Sequence, residues 1–480
     1  MRITLMGISL VCTLFLGNLP ASTQEGPDDL EKKSQKLKKE VTRIRGIGFK
    51  EDVNVGVYSK EELLKFISAE FQKELPPEKA KRYEKAYAHF KLIPDDMDLY
   101  ESLIVLFTES IAGFYHPKTK ELKLVRPEEG SPEGGNMMGV DMEAITFVHE
   151  LTHAAQDQNF DLVTVPMEEI TNDDMVSAVK CLVEGEASIV GWKYGFDATF
   201  DQVIKLINNQ YKSGMLPGKA GKLPRYLRET LTFSYGYGCD FVLAVWKGNE
   251  ENWDAITAMY EDLPSSTEQV LHPEKYWKNR DNPTVITLPK LGKEWDLLTN
   301  NVFGEFVVRI VLREVKASGR SARKGSEGWD GDRYHIYEKE GAVSSAWYTT
   351  WDTEKDAKEF FSAYRQGLEK TFPREEESTT EEEKSKDSWA IGKGRSIHIE
   401  RKGSDVLILN GDNDLVGKAQ WYWDNAEKKE LDHVKRFEKG NWTCKDHPEV
   451  DHDINSYCPE CEARLIPKPR RSRGKGRKDY

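Results

Sequence analysis

The segment that most constrains this chain is residues 141–157, because it is apolar on nearly every side when wound as a helix. A helix without a polar face has to be enclosed by protein. The apolar positions are Ala144, Ile145, Phe147, Val148, Leu151, Ala154 and Ala155. Asp141 is a residue type suited to cap the N-terminus of this helix. The sequence therefore predicts a helix at the centre of a domain whose core is large enough to surround it.

Between Ala144 and Ala155 three ionisable side chains interrupt the apolar helix, at His149, Glu150 and His153. Positions four apart lie on one face of a helix, so the two imidazoles can bind one metal ion with Glu150 beside them. Burying these groups without a partner would be costly. A catalytic zinc site needs three protein ligands, an open position for water and a carboxylate that accepts the water's proton. Spacing and burial therefore predict a zinc site with Glu150 as general base.

The third ligand is expected on a second predicted helix, residues 174–194, which offers two carboxylates, Glu184 and Glu186. Glu184 shares its helix face with small groups that let two helices approach closely, namely Cys181, Ala187 and Ser188. Glu186 shares its face with larger apolar groups, namely Leu182, Val183, Ile189 and Val190. We favour Glu184 as the ligand. Glu186 stays the alternative, or else a helix-edge residue or buried hydrogen-bond partner.

Four segments carry a resemblance to known proteins: 149–162 (HELTHAAQDQNFDL), 113–115 (GFY), 183–187 (VEGEA) and 265–276. Together they resemble a family of little-characterised exported metallopeptidases of bacteria and archaea. The pair of helices is also similar to the gluzincins, the thermolysin-like peptidases in which H-E-x-x-H and a downstream glutamate hold zinc. The likeness extends over about residues 47–361.

The resemblance implies that His149, His153 and Glu184 bind the zinc ion and that Glu150 is the general base. Two positions depart from the pattern. Many thermolysin-like enzymes have an aspartate four residues after the ligand glutamate to hold a histidine, and this chain has Ser188 there. His116 stands where the family has an aspartate. The first departure affects the groups around the ligands more than the ligands themselves.

Peptide hydrolysis also requires a donor for the developing oxyanion, usually a tyrosine or histidine in this class. Tyr235, in a glycine-rich stretch that favours a turn, and His272, beside a proline, are the candidates. Packing for the tyrosine and a loop hydrogen bond for the histidine are the alternatives. Gln156 and Asp157, close to one turn after His153, either orient a histidine or cap the helix.

A second metal-like motif lies near the C-terminus. It joins a C-x-x-H arm, Cys444 and His447, to a C-x-x-C arm, Cys458 and Cys461. A closed set of four such ligands is typical of structural zinc, and a segment too small for its own core needs this kind of cross-link. The sequence therefore predicts a zinc-ribbon-like Cys3His module over residues 441–467, with His452 as an alternate ligand.

This segment resembles the heavy-metal-binding module of copper-efflux systems, which reads C-P-M-H-P and later C-P-x-C-G-M. Asp446 replaces the first methionine, and Glu462 and Ala463 replace Gly-Met. Because the soft thioether ligands are missing, we expect zinc rather than copper(I). Cys181 and Cys239 are expected to be buried free thiols, since five cysteines after residue 22 do not form a disulfide framework.

A chain of 480 residues favours two or three folded units, and we expect an α+β protein. The predicted units are a mainly helical zincin-like peptidase domain (47–317), a small α+β accessory domain (329–425) with an acidic loop (375–387), and the Cys/His module. A Gly/Ser-rich linker at 318–328 separates the first two. Strands are predicted at 53–58, 121–125, 333–338 and 344–351, helices at 60–75, 302–316 and 353–370, and a hairpin at 396–400 with 406–410.

The N-terminal residues 1–22 read as a secretory signal, with an uncleaved membrane anchor as the alternative. Residues 23–46 form a charged leader or short amphipathic helix, and no later segment is apolar enough to span a membrane. The net charge of −13 argues against nucleic-acid binding by the whole surface, and the basic tail 468–480 is expected to be disordered. We therefore expect a secreted, periplasmic or envelope protein without a transmembrane helix in its mature chain.

The function expected from these features is zinc-dependent hydrolysis of peptide bonds in a peptide or protein substrate. The alternative is a non-enzymatic envelope protein that uses the same scaffold to bind metal or a partner. A third possibility is adhesion of the accessory domain and tail to acidic surfaces, which would depend strongly on salt.

Overall fold

The computed structural model describes residues 11–14, 27–126, 136–137, 140–372, 385–458 and 463–468, and it shows a mixed α+β protein. Cys461, most of the signal segment, most of the acidic loop and nearly all of the basic tail lie outside the described residues. In the part of the chain that is described, no helix is long and apolar enough to cross a membrane.

Two long buried helices lie at the centre, α5 (Met142–Phe160) and α6 (Asp173–Phe196). Met142 and every residue of α5 from Ala144 to Asp157 are buried, and the Asp141 carboxylate caps the helix by accepting from the Ala144 amide at 3.1 Å. The other helices before the accessory region are α1 (Pro27–Arg45), α2 (Lys60–Glu74), α3 (Pro77–His89), α4 (Leu99–Ser110), α7 (Phe200–Lys212), α8 (Arg225–Gly248), α9 (Trp253–Ala258), α10 (Thr267–Leu271) and α11 (Glu274–Trp277).

Helices α6 and α8 pack closely because glycines face each other across their contact. A Cβ placed on Gly185 would lie 2.3 Å from the carbonyl oxygen of Gly238, and one on Gly238 would lie 2.7 Å from that of Cys181. A side chain at either position would hold the two backbones apart. The glycine that separates Glu184 from Glu186 is thus required by helix packing.

A four-stranded sheet covers one side of α5. Its strand order is β1 (Val11–Leu14), β3 (Ile111–His116), β4 (Glu121–Val125) and β2 (Asn54–Tyr58), antiparallel except for the parallel β2–β4 pair. Strand β1 belongs to the predicted signal segment and pairs with β3 from Val11 opposite Tyr115 to Leu14 opposite Ile111. A short pair, β5 (Asn136–Met137) with β6 (Val140–Asp141), precedes α5.

The charged leader is a helix of the core. Leu37, Val41 and Ile44 of α1 are buried in one cluster with apolar residues of β4 and α5. The last residue of α1, Arg45, is 1 % exposed and pairs with Glu186 of α6. A helix is one of the two alternatives that the sequence left open for residues 23–46, and its apolar stripe fastens it to the two central helices.

The accessory region is built on a six-stranded antiparallel sheet. In spatial order its strands are β11 (Lys386–Gly392), β12 (Arg395–Lys402), β13 (Asp405–Asp412), β10 (Ala342–Trp351), β9 (Trp329–Lys339) and β8 (Asp296–Asn301). The helices of this region are α12 (Gly304–Glu314), α13 (Gly319–Lys324), α14 (Glu354–Thr371), α15 (Asn413–Val416) and α16 (Ala419–Asn425).

Three features differ from the domain boundary expected at residues 318–328. Strand β8 pairs with β9 although it precedes the expected linker, and the linker itself contains α13. One cluster of buried apolar residues also continues from Leu63 of α2 to Ile408 of β13. The helical region and the six-stranded sheet therefore share a hydrophobic core.

The C-terminal segment packs on the loop that follows α5. It contains β14 (Glu427–Glu430), which pairs with β7 (Thr284–Thr287), and the small sheet of β15 (Lys439–Thr443), β16 (His452–Ile454) and β17 (Ile466–Pro467). The Phe437 amide donates to the Thr164 carbonyl at 2.7 Å, and the Tyr457 hydroxyl donates to Glu169. These contacts fasten the Cys/His segment to the end of the central helix.

Candidate metal centre

The two central helices bring His149, His153 and Glu184 together. His149 Nε2 lies 3.2 Å and His153 Nε2 3.4 Å from Glu184 Oε2, and the two imidazole nitrogens lie 2.8 Å apart. All three side chains are buried, and their possible ligand atoms lie within 4.8 Å of one another. Two imidazoles and one carboxylate that converge in this way form a three-ligand set suited to a metal ion.

The electrostatics of the group favour the metal-binding protonation state for His149 and Glu184. Burial, followed by the charge of His153, lowers the pKa of His149 to about 4, so this imidazole is neutral at pH 7. Burial alone would raise the pKa of Glu184, but the two histidines lower it to about 2. For His153, burial opposes charging, yet the Glu184 carboxylate outweighs it and raises the pKa. An ionised carboxylate and a neutral imidazole are the forms that bind a metal cation.

Glu150 lies on the side of α5 that faces strand β3. The residue is 0 % exposed. A Cβ on Gly113 of β3 would lie 3.2 Å from Glu150 Cγ and 3.1 Å from Thr146 Cγ2, so a side chain there would press on both residues. The GFY segment singled out by resemblance is therefore the strand that packs directly on Glu150.

Gln156 is the residue that positions His153. Its Oε1 lies 2.7 Å from His153 Nδ1, and its Nε2 donates to the Val183 carbonyl at 3.0 Å. A ligand histidine commonly has its second ring nitrogen held in this way, which fixes the tautomer and ring orientation. Ser188, which stands in place of the aspartate of many thermolysin-like enzymes, is buried and hydrogen-bonds neither histidine within the described chain.

Asp157 ties α5 to its surroundings. Its carboxylate accepts from the Tyr115 hydroxyl at 2.7 Å, the Lys120 ammonium at 2.6 Å and the Leu162 amide at 3.1 Å. The aspartate thus joins the helix, strand β3 and the following loop. The Q-D pair after H-E-x-x-H has two separate roles, because Gln156 contacts a histidine and Asp157 does not.

Glu186 belongs to a different network. It forms a buried ion pair with Arg45 and accepts from the Tyr260 hydroxyl at 2.6 Å. Glu184, two positions earlier, faces the histidines. Sequence reasoning named Glu186 as a possible buried hydrogen-bond partner but missed Arg45 and Tyr260, which lie 141 and 74 positions away from it.

The two candidate oxyanion donors lie in different places. Tyr235 is a buried residue inside the long helix α8, not in a turn, and its ring is stacked near that of His149 at a centroid distance of 6.3 Å. His272 follows α10 and contacts Glu305 of α12 at 3.1 Å, which raises its pKa. Helix α10 meets α6 at Asp174, about 15 Å of helix before Glu184. The structure brings Tyr235 to the group and leaves His272 apart.

His116 ends strand β3 and is also apart from the group. It is buried, accepts from the Thr119 amide at 3.2 Å and packs edge-on against Phe66. Burial lowers the pKa of this histidine.

The C-terminal motif forms a second cluster of possible ligands. His447 Nδ1 lies 3.7 Å from Cys444 Sγ and 3.5 Å from Cys458 Sγ. Both cysteines are buried, and the set is one in which three ligand atoms can meet at one ion. Cys461, the fourth predicted ligand, lies outside the described residues, and His452 lies on β16. Cys181 and Cys239 are buried free thiols, as predicted.

A third cluster of possible ligands is formed by acidic residues only, and a lysine lies at its centre. Glu268, Asp281 and Asp352 converge, and the Lys275 ammonium lies 2.6 to 2.8 Å from all three carboxylates. The lysine takes the place that a metal ion would occupy, so this cluster is an ion-pair network.

Residues 296–419 match a family described as a domain of unknown function, DUF8575. The match begins at β8 and ends where α16 begins, so it contains the whole six-stranded sheet. No curated protein matches the chain, and no solved structure does. The matched residues do not contain His149, His153 or Glu184, so the family bears on the accessory region and not on the metal-ligand group.

Proposed function

We propose that this protein is an exported zinc-dependent metallopeptidase whose active site is formed by His149, His153, Glu184 and Glu150. The observation that carries the proposal is the convergence of two imidazoles and one carboxylate from two buried helices within 4.8 Å. Exposed acidic or histidine groups often lie close together without a ligand, but these are buried at the centre of the fold. Their burial is costly unless a cation completes the group.

The donor set fits zinc. Two imidazole nitrogens and one carboxylate oxygen are the ligands of one established class of catalytic zinc site, in which a fourth position stays open for water. When bound, zinc would polarise a substrate carbonyl and lower the pKa of a bound water. Gln156 would hold His153 in a fixed tautomer while the ion is bound, since it already contacts the second ring nitrogen at 2.7 Å.

Glu150 supplies the base. It follows His149 directly and is buried, so its carboxylate would accept a proton from the attacking water and return it to the leaving amine. Tyr235 is the better candidate for the oxyanion donor, because its ring lies near that of His149 while His272 contacts Glu305.

The edge of strand β3 offers a place for an extended peptide. Strand β1 occupies this edge in antiparallel pairing, and β3 packs directly on Glu150 through Gly113. If signal cleavage removes residues 1–22, the β3 edge is freed beside the proposed base. An extended substrate would then add to the sheet through main-chain hydrogen bonds.

A non-enzymatic metal-binding role is the second candidate, and the depth of the group favours it. His149 is 3 % exposed, and Glu150 and His153 are 0 % exposed. A protein that only holds metal would need no path for a substrate. The Cys444, His447 and Cys458 cluster, which we propose holds a structural zinc ion with Cys461, suits either function.

Replacing Glu150 with glutamine separates the two functions. We expect the purified chain without residues 1–22 to cleave members of a peptide library, and Glu150→Gln to lower the rate by about a hundredfold or more with zinc still bound. Glu143→Gln is the matched control, since Glu143 is in the first turn of the same helix and pairs with Lys33 at 2.7 Å. Zinc binding without turnover by the wild type would favour the non-enzymatic role.

A further inference from the structure

A half-open cavity of about 570 Å³ lies between the helical region and the six-stranded sheet. Helix α3 and the residues after it form one side, helices α12 and α14 another, and strands β10, β12 and β13 the floor. Its size is in the range of pockets that hold small organic ligands. Most of its lining belongs to residues 296–419, the stretch that matches the domain of unknown function.

Much of the cavity lining is apolar. The apolar side chains include Phe90, Val311, Val315, Val343, Leu368 and Ile397. A surface of this kind stabilises an alkyl or aryl group by removing its apolar area from water. The cavity is thus suited to an apolar ligand body.

The lining also contains two basic side chains close to His89, together with the carboxylates of Asp95 and Glu314. Arg395 and Lys91 both lie close enough to His89 to lower its pKa, which burial and these charges bring to about 3. Lys91 has a carboxylate partner, Asp95, at 3.2 Å. Arg395 has none in the described chain, where its guanidinium donates only to the Val343 carbonyl, at 2.7 Å.

A second polar group in the lining has an unused hydrogen-bond acceptor. The side-chain oxygen of Asn410 is buried and accepts no hydrogen bond within the described chain. An asparagine amide can present either its oxygen or its NH2 group to a ligand. Arg395 and Asn410 lie on adjacent strands, β12 and β13, and both line the cavity.

We propose that this cavity binds a small amphipathic anion, an alkyl or aryl chain with a single carboxylate, whose apolar body fills the cavity and whose carboxylate pairs with Arg395. A half-buried guanidinium without a carboxylate partner is a natural site for a bidentate bond to an anionic group. The site is independent of the proposed zinc centre, because none of its lining residues belongs to α5 or α6.

Decanoate is the probe for this site, and titration calorimetry on the full chain is the measurement. We expect decanoate to bind and the uncharged decanol to bind about tenfold to a hundredfold more weakly, because decanol lacks the charge-assisted bond to Arg395. Arg395→Gln should weaken decanoate binding by the same factor. Arg401→Gln is the matched control, since Arg401 is on the same strand, does not line the cavity and donates to the Gly403 carbonyl.

A second variant tests the apolar part of the cavity. Val343→Phe should narrow the cavity and weaken decanoate binding, while both it and Arg395→Gln keep wild-type zinc content. Equal affinity for decanoate and decanol, equal affinity in the wild type and Arg395→Gln, or no binding of decanoate to the wild type would each overturn the proposal.

Discussion

Glu184 and Glu186 are two positions apart on one helix, and their side chains belong to different networks. Glu184 contacts the two histidines, and Glu186 forms a buried pair with Arg45. We expect Glu184→Gln to lose the zinc ion of this site and remain folded. Glu186→Gln should keep zinc but lower the free energy of unfolding by about 3–5 kcal/mol, because it leaves Arg45 buried without a counter-charge.

Elemental analysis and urea unfolding of the two variants measure these effects. Each variant serves as the control for the other, since both replace a buried glutamate of α6. Zinc loss in Glu186→Gln with retention in Glu184→Gln would show that the assignment of the two residues is reversed.

Asp174 makes the stability of the folded protein depend on pH. Its carboxylate accepts from the Thr267 hydroxyl at 2.5 Å and the Thr267 amide at 2.9 Å, and its other oxygen is buried without a partner in the described chain. Burial raises its pKa from 3.8 to about 7, and the charges of Asp332 and Glu305 act in the same direction. The folded protein therefore favours the protonated acid.

Because the pKa of Asp174 is higher in the folded than in the unfolded protein, its contribution to stability is complete when the pH is below the unfolded pKa. That contribution is lost as the pH rises towards and through the folded pKa. We therefore expect the wild type to lose up to about 4 kcal/mol relative to Asp174→Asn between pH 4 and pH 7. Thermal unfolding of both proteins across this range measures the difference. A constant difference between the two proteins would contradict the protonated state of Asp174.

Some contacts of the site follow from local sequence and others do not. The four-residue spacing of His149 and His153 and the small face around Glu184 identify the three residues that the structure brings together. The pairing of Arg45 with Glu186 joins residues 141 positions apart, so no periodicity in either helix indicates it. His272 was one of two candidate oxyanion donors, but its segment packs at the start of α6 rather than beside Glu184.

At the scale of elements, the contact of α6 with α8 determines where Glu184 lies. We expect Gly185→Ala to destabilise the protein by about 1–3 kcal/mol, because its Cβ would meet the Gly238 carbonyl at 2.3 Å. The helices would have to separate, and zinc affinity should fall as Glu184 moves. Differential scanning calorimetry and a competitive zinc titration measure both effects.

Gly319→Ala is the control for this substitution. A Cβ at Gly319, in the short helix α13, meets no atom within 4 Å, so stability and zinc affinity should stay close to those of the wild type. Wild-type behaviour of Gly185→Ala would mean that the two helices do not need this close approach.

Helices and strands with clear periodicity were predicted well. The strand expected at 121–125 is β4, the helix expected at 141–157 is α5 with its Asp141 cap, and the predicted hairpin is β12 with β13. The glycines of α8 suggested a turn around Tyr235, because sequence alone does not reveal the neighbouring helix that requires them. The prediction that residues 318–328 form a linker was wrong, because Ser318 caps helix α13 there.

At the scale of the molecule, the Cys/His segment is docked on the loop after α5. Tyr457, next to Cys458, donates to Glu169, and Arg464 lies 3.2 Å from the same carboxylate. We expect Cys458→Ser to lose the C-terminal zinc ion, to keep the other ion, and to speed amide hydrogen exchange in residues 161–171. Lys445→Ala, an exposed change in the same segment, should leave exchange unchanged.

Unchanged exchange in Cys458→Ser would show that metal in this segment does not support the loop.

The domain boundary is also a property of the whole molecule. Sequence patterns change near residue 318, but β8 already pairs with β9 and the core continues across the boundary. Strand pairing between distant segments is what the sequence patterns could not show.

The central claim is that α5 and α6 together hold a metal ion, and zinc stoichiometry of the purified full chain tests it most directly. The wild type should bind two zinc ions, His153→Ala one, and the control His272→Ala two, because His272 contacts Glu305 instead of the ligand group. Equal zinc content in the wild type and His153→Ala would contradict the claim.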